Sequence, residues 1–357
     1  MIVNKPSSRW REAVLALGTV LALAALAGCQ VREHVPSSLR VLLNPQRQSL
    51  QYRRLVLPNQ LRVILVSDPT AERSAAAMTV GAGSLEDPPD HQGMAHFLEH
   101  MLFLGTEKYP EPGSYQAFMA SHAGYSNAFT ADDHTTFFFQ VADAAYPEAL
   151  DRFSQFFIAP TFAQEYAQRE LNAVASEHAK NMEDDFWRVR QIQRDQFNPA
   201  HPIHQFGTGN VATLRGVGQQ ALRAFYEREY SANRMTLALV GSASLDALER
   251  LARQHFGAVA NRNLPELHYP QTILAPQPAL RLLTVDPVRD VRSLTMEFPL
   301  PPVQQLYRTK PLDLIGFVLG HEGKGSLLSA LKAQGLATSL SAGEDEGTRD
   351  YASFSIT

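Results

Sequence analysis

The chain has 357 residues, 45 % hydrophobic and 19 % charged, a composition that excludes a disordered or fibrous polymer and leaves room for two domains with cores. Its 32 basic and 36 acidic side chains give a formal charge of −4, so nothing in the overall charge calls for nucleic acid as a partner. One cysteine excludes an intramolecular disulfide framework.

That cysteine stands at the first landmark. Lys5, Arg9 and Arg11 precede an apolar run over residues 13–27, and Leu26-Ala27-Gly28-Cys29 follows at its end. A basic start, an apolar stretch shorter than the roughly 20 residues that span a bilayer, and small residues before a cut have the form of a secretory signal. The last four residues resemble the bacterial lipobox. That likeness implies a signal peptide over 1–28, a lipid on Cys29 as the sole membrane attachment, and residence in the bacterial periplasm. Gln30, which is not Asp, implies sorting to the outer membrane. An ordinary signal peptide or membrane anchor with a chance cysteine is the alternative. Residues 29–50 read as a polar tether.

Beyond the tether, extended runs over 52–57 and 61–66 flank Pro58-Asn59-Gln60, the pattern of a hairpin. Residues 75–80 form a small-residue apolar run of buried-strand type, and 93–104 and 114–122 are helical in pattern. Thr135, Phe137 and Phe139 alternate against Thr136, Phe138 and Gln140 after an Asp-rich turn, which predicts a strand. Helices are expected over 147–158, 163–182, 186–197, 221–229 and 245–255, with a strand over 235–240. Helices and strands interleave without the regular alternation of a parallel sheet, so the fold class is α+β.

Pro265, Pro270, Pro276 and Pro278 mark a linker over 263–279, separating a first domain over 51–262 from a second over 280–357. Leu61-Arg62, Asp68-Pro69 and Met78-Thr79 find an echo in Leu280-Arg281, Asp286-Pro287 and Thr295-Met296, a weak sign of internal duplication. The second copy is expected to be incomplete, because the chain stops on an alternating, strand-like run over 351–357.

His96-Phe97-Leu98-Glu99-His100 is the sharpest chemical feature. Positions i and i+4 share a helix face, so both imidazoles can reach one metal ion, with Glu99 placed to take a proton from a water there. Two imidazoles leave a catalytic zinc site one protein ligand short, and a distant carboxylate should complete it. Glu170 and Glu177, seven residues apart on the expected 163–182 helix, face the same way and are the candidates. An exposed helix face is the competing explanation for that pair.

The segment Gly93-Met94-Ala95-His96-Phe97-Leu98-Glu99-His100-Met101-Leu102-Phe103-Leu104-Gly105-Thr106 resembles the inverted-zincin motif of the pitrilysin/insulin-degrading-enzyme family of metallopeptidases. So do Arg169-Glu170-Leu171-Asn172-Ala173-Val174-Ala175-Ser176-Glu177-His178, Asn127-Ala128-Phe129-Thr130 and Phe206-Gly207-Thr208-Gly209-Asn210. The likeness runs on into Gly320-His321-Glu322-Gly323 and covers about residues 50–357. It implies two homologous αβ domains, each a mixed, mainly antiparallel sheet covered by helices, the second non-catalytic. It further implies Zn2+ on His96, His100 and Glu177, Glu99 as general base, Glu170 as a supporting acid, and an edge strand at Ser126-Asn127-Ala128 that takes an extended peptide. The expected reaction is endoproteolysis of oligopeptides or small unfolded polypeptides. Full-length members of the family have four such domains, so a missing C-terminal half is the further partner implied. An inactive fragment that only binds extended peptides is the alternative function.

Gly320-His321-Glu322-Gly323-Lys324-Gly325-Ser326 lacks a phosphate-loop spacing, and His321-Glu322 lacks a second histidine at zinc spacing. The remaining histidines, including His178, which points about 100° away from Glu177, read as structural or solvent-facing.

Overall fold

Strands β1 (Gln51–Val56) and β2 (Arg62–Ser67) pair antiparallel with Val56 opposite Arg62. The tight connection between them is fixed by the Asn59 side chain, which donates to the Phe256 and Val259 carbonyls at 3.0 and 2.9 Å. This computed structural model describes residues 49–269, 272–274, 280–345 and 347–357. The expected signal segment, Cys29 and nearly all of the tether therefore lie outside the described residues. Strands β3 (Arg73–Val80), β4 (Tyr125–Thr130), β5 (Thr135–Ala142) and β6 (Met235–Gly241) complete a six-stranded sheet of order β1-β2-β6-β3-β5-β4. Every neighbouring pair is antiparallel except β2 with β6. The expected mixed, mainly antiparallel sheet is what forms.

The reason β6 sits centrally is visible in its sequence. Met235, Leu237 and Leu239 are fully buried, and Val63, Leu65, Met78 and Val80 beside them are at most 1 % exposed. A strand with this apolar load is stable only between two others. Helices α1 (Met94–Leu102), α2 (Ser114–Ser121), α3 (Tyr146–Ser154), α4 (Gln164–Asn181), α5 (Asp185–Arg194), α6 (Gln219–Glu229) and α7 (Leu245–Phe256) complete the first domain. Phe137 and Phe139 of β5 meet Phe153 and Phe157 edge to face, at centroid distances of 5.1 to 5.5 Å. The helix expected over 147–158 ends as an α-helix at Ser154 and tightens to a 3₁₀ turn over Gln155–Phe157. Three residues per turn let Phe153, Phe156 and Phe157 all reach the core, at 1 to 2 % exposure.

Beyond the linker, β7 (Met296–Leu300), β8 (Ala342–Glu344) and β9 (Ala352–Ile356) form a three-stranded antiparallel sheet of order β7-β9-β8, with helices α8 (Pro311–Leu319) and α9 (Leu327–Ala333). The alternating C-terminal run is thus a strand, and the central one. The duplication echo is only partly structural. Thr295-Met296 leads into β7, whereas residues 280–287 form no regular element and leave Leu280 and Leu282 77 % and 83 % exposed. No strand among the described residues offers that segment a ladder, and an unpaired strand gains nothing over hydrated coil. A small second core of Leu85, Ile203, Ile273 and Tyr351, flanked by Phe197 and Tyr269, joins loops of the first domain, the linker and the β8–β9 turn.

Candidate active site

Helix α1 is anchored by one face and presents polar side chains on the other. Phe97, Leu98, Met101 and Leu102 are at most 1 % exposed and fix its rotation against the core. Its entry residue Gly93 takes φ +92°, and a Cβ there would lie 2.2 Å from the Gly209 Cα, so only glycine fits. Asp87 closes this helix end. Its carboxylate accepts from the Gly93 N–H at 2.6 Å and the Ala95 N–H at 2.7 Å.

The outward face presents His96 and His100, one turn apart, with ring centroids 4.8 Å from each other and planes nearly perpendicular. Glu177 comes from α4, which packs across α1. Its Oε2 lies 3.7 Å from the Nε2 of His96 and 3.7 Å from the Nε2 of His100. One ligand atom from each of the three residues falls within 4.8 Å of the other two. Zinc–ligand bonds of about 2.0–2.1 Å at tetrahedral angles put donor atoms about 3.4 Å apart, so the donor set fits such an ion after small side-chain adjustments. The remaining imidazole nitrogens are occupied from behind. His96 Nδ1 donates to the Thr208 carbonyl at 2.8 Å, and His100 Nδ1 stands 3.5 Å from Glu170 Oε2. The Thr208 carbonyl fixes the His96 tautomer that leaves Nε2 free for a metal, and Glu170 stands on the Nδ1 side of His100. Glu170 lies two turns before Glu177 on the same helix, with its carboxylate on the Nδ1 side of His100.

Glu99 differs from its neighbours by its burial, at 7 % exposure. Its Oε2 accepts from Thr130 Oγ1 at 2.6 Å. Burial pushes its carboxyl above the ordinary carboxylate range, against the pull of His96, Thr130 and His100. Glu177 moves the other way, held below that range first by the His100 imidazole beside it. Burial depresses the His100 imidazole, but Glu177, Glu99 and Glu170 outweigh it and raise it. Glu99 and Glu177 are thus driven in opposite directions by their environments, as a base and a ligand must be.

These groups open into a cavity of about 1320 Å³ that extends along β4. Ser126, Asn127 and Ala128 lie on β4, the sheet-edge strand that pairs with β5 on one side, and line the cavity. Ser126 Oγ donates to Gln116 Oε1 at 3.3 Å. The β4–β5 turn is braced twice. Asp132 accepts from Arg194, whose guanidinium also donates to the Ile203 and Gln205 carbonyls. Arg349, from the second domain, donates through its backbone N–H to the Asp133 carboxylate at 2.8 Å and through its guanidinium to the Asp133 carbonyl at 2.7 Å.

All five expected metal-site residues and the three edge-strand residues meet in this one cavity. Sequence reading gave no role to Asp87, Thr208, Thr130, Asp132, Arg194 or Arg349. Asp87 stands six residues ahead of the N-cap Gly93, where no capping pattern marks it, and the Thr208 contact is a backbone carbonyl with no sequence signal. His178 packs its ring on Phe206 at 4.9 Å, and His201 is buried against Tyr269, consistent with structural roles. His321 is exposed, with Nδ1 accepting from the Gly323 N–H.

A helix bearing HxxEH, a second helix bearing the carboxylate that converges on it, and a mixed sheet with a free edge together describe a metallopeptidase-type fold. The profile of Insulinase (Peptidase family M16) matches residues 62–200, and that of the Peptidase M16 inactive domain matches residues 217–357. The chain belongs to the insulinase/pitrilysin family. It is 42 % identical to the insulin-degrading enzyme of Bos taurus over 322 residues, which is 88 % of this chain and 32 % of that protein. It is 38 % identical to the A-factor-processing enzyme of Saccharomyces cerevisiae over 321 residues, 88 % of this chain and 31 % of the relative. The crystal structure of pitrilysin superposes with a TM-score of 0.79 at 32 % identity, covering 89 % of this chain and 34 % of that one. A protease from Helicobacter pylori shares the fold at a TM-score of 0.71 and 20 % identity, over 86 % of this chain and 74 % of that one. The chain spans about a third of the length of the curated relatives it matches.

Proposed function

We propose that the chain is a zinc-dependent metalloendopeptidase acting on oligopeptides or small unfolded polypeptides. The observation that carries this reading is the convergence of the His96, His100 and Glu177 ligand atoms beside the buried Glu99 carboxyl. Zinc held by those three side chains would supply a Lewis acid that polarises the scissile carbonyl and acidifies water. Glu99 takes the proton of the attacking water and returns it to the leaving amine, a role its raised pKa suits. Thr208 and Glu170 hold the two imidazoles in register. The open edge of β4 at Ser126, Asn127 and Ala128 takes the peptide as an added strand through main-chain hydrogen bonds. Recognition of backbone rather than side chains suits loose specificity for unfolded segments.

A subunit that merely binds peptides is the weaker reading, because such a subunit has no use for a buried carboxyl poised beside three ligand atoms. The purified chain should bind about one zinc and cleave a quenched oligopeptide. Glu99→Gln should keep the zinc and abolish cleavage. Zinc binding by the wild type with no turnover would sink the stand-alone enzyme and favour the binding subunit. The Lys5–Cys29 pattern supports a lipid anchor at Cys29 and residence in the bacterial periplasm, on the outer membrane.

A further inference from the structure

We infer that Thr130 is a positioning residue for Glu99 and ties the general base to the strand that receives the peptide. This role rests on the metallopeptidase reading above and adds to it a group that no ligand motif contains. Thr130 closes β4, two residues after Ala128. Its Oγ1 is 2.6 Å from Glu99 Oε2, the length of a charge-assisted O–H···O⁻ bond. The proton has a second possible acceptor, the Thr135 hydroxyl, but that oxygen stands 3.5 Å away and spends its own proton on the Ala82 carbonyl at 2.9 Å. The shorter distance assigns the Thr130 proton to Glu99.

Three features hold the donor still. Thr130 is β-branched and therefore stiff at χ1. It pairs directly with the fully buried Thr135 across β4 and β5. The turn that follows cannot fray readily, because Asp132 is held by Arg194 and Asp133 by Arg349. Glu99, by contrast, has a long side chain whose carboxylate would otherwise rotate, and Thr130 is its side-chain hydrogen-bond donor among the described residues. A base displaced by about 1 Å can lose a hundredfold in rate. The strand that aligns the scissile bond thereby also aligns the group that activates water against it.

The test uses Thr130→Val, which keeps the shape and removes the donor, and Thr130→Ser, which restores it, each in the full chain. With zinc loaded and a quenched oligopeptide as substrate, Thr130→Val should lower kcat about 10- to 100-fold with KM within about twofold. Zinc should remain near one per chain, and affinity for the same peptide with a reduced, uncleavable bond should be unchanged. Thr130→Ser should recover kcat to within about threefold. A readout independent of turnover comes from thermal unfolding of the metal-free protein. Thr130→Val should move the midpoint much less in a Glu99→Ala background than in the wild type.

The role is overturned if Thr130→Val keeps kcat within about twofold while Glu99→Gln is inactive. A loss confined to KM or zinc content, failure of serine to rescue, or additive midpoint shifts would overturn it equally. If the wild type itself does not cleave, the metallopeptidase reading fails instead, and the unfolding cycle still decides whether Thr130 holds Glu99.

Discussion

Asp87 holds the start of α1, the helix that carries His96 and His100, and its removal has a calculable effect. The side chain is 4 % exposed and satisfies two backbone donors, Gly93 N–H and Ala95 N–H, at 2.6 and 2.7 Å. Asp87→Ala strands both. A buried N–H left without an acceptor costs about 1–3 kcal/mol, and a lost N-cap alone about 0.5–2. Part of this is offset, because burial pushes the Asp87 carboxyl well above the ordinary range and the substitution relieves that penalty. A net loss of about 2–4 kcal/mol follows, which for a chain of this size is a fall of roughly 3–6 °C in the unfolding midpoint. His96 lies in the first turn behind these two amides, so its imidazole should lose its fixed aim. Zinc affinity, measured by competition with a chromogenic chelator, should therefore fall about tenfold. Asp87→Asn keeps one acceptor oxygen and should lose less on both counts. Calorimetry of the metal-free chain, followed by zinc titration, checks both. A midpoint within about 2 °C of wild type, or a full stability loss with unchanged zinc affinity, would refute the claim that this cap fixes His96.

Burial raises the Glu86 carboxyl from its ordinary 4.5 to about 7, against hydrogen bonds from Tyr269 and Gly83. The folded state therefore holds this proton more tightly, and the group's contribution to stability falls as pH rises through that window. Glu86→Gln should gain about 2–3 kcal/mol relative to wild type between pH 5 and pH 8 in urea titrations, and a flat difference would show that Glu86 does not titrate there. Arg349→Met removes the guanidinium bonds to the Asp133 and Gly81 carbonyls. Amide exchange at residues 131–134 and 348–351 should rise together several-fold, and loosening of 348–351 alone would mean the second domain does not brace the β4–β5 turn. Cys29→Ser, expressed in a Gram-negative host, should move the protein from the membrane fraction to the soluble periplasmic fraction; a variant that stays with the membrane rules out the lipid anchor.

What was legible in the sequence was local. Phe97, Leu98, Met101 and Leu102 mark one face of a helix and His96 and His100 the other, and this is enough to place two ligands on one ion. Thr135, Phe137 and Phe139 alternate in the chain and are buried together in β5. Periodicity says which face is covered, however, and not by what. Arg349 reaches Asp133 across 216 residues, and Thr208 reaches His96 across 112 through a backbone carbonyl that any residue type would supply. The same limit explains why β4 was expected from family likeness rather than from pattern: its residues alternate between exposed and half-exposed, which leaves no buried face to read.

The division has a chemical consequence. His96, Glu99 and His100 sit within one nine-residue helix, yet each meets a different stretch of chain: Glu99 meets Thr130, His100 meets Glu170 and His96 meets Thr208. A short sequence motif does not by itself bring those partners with it. The pentapeptide alone is therefore weak grounds for a working centre. The stronger grounds are that three separate elements converge to fix its three side chains, and a centre stripped of any one of them should keep its ligands in sequence while losing their aim.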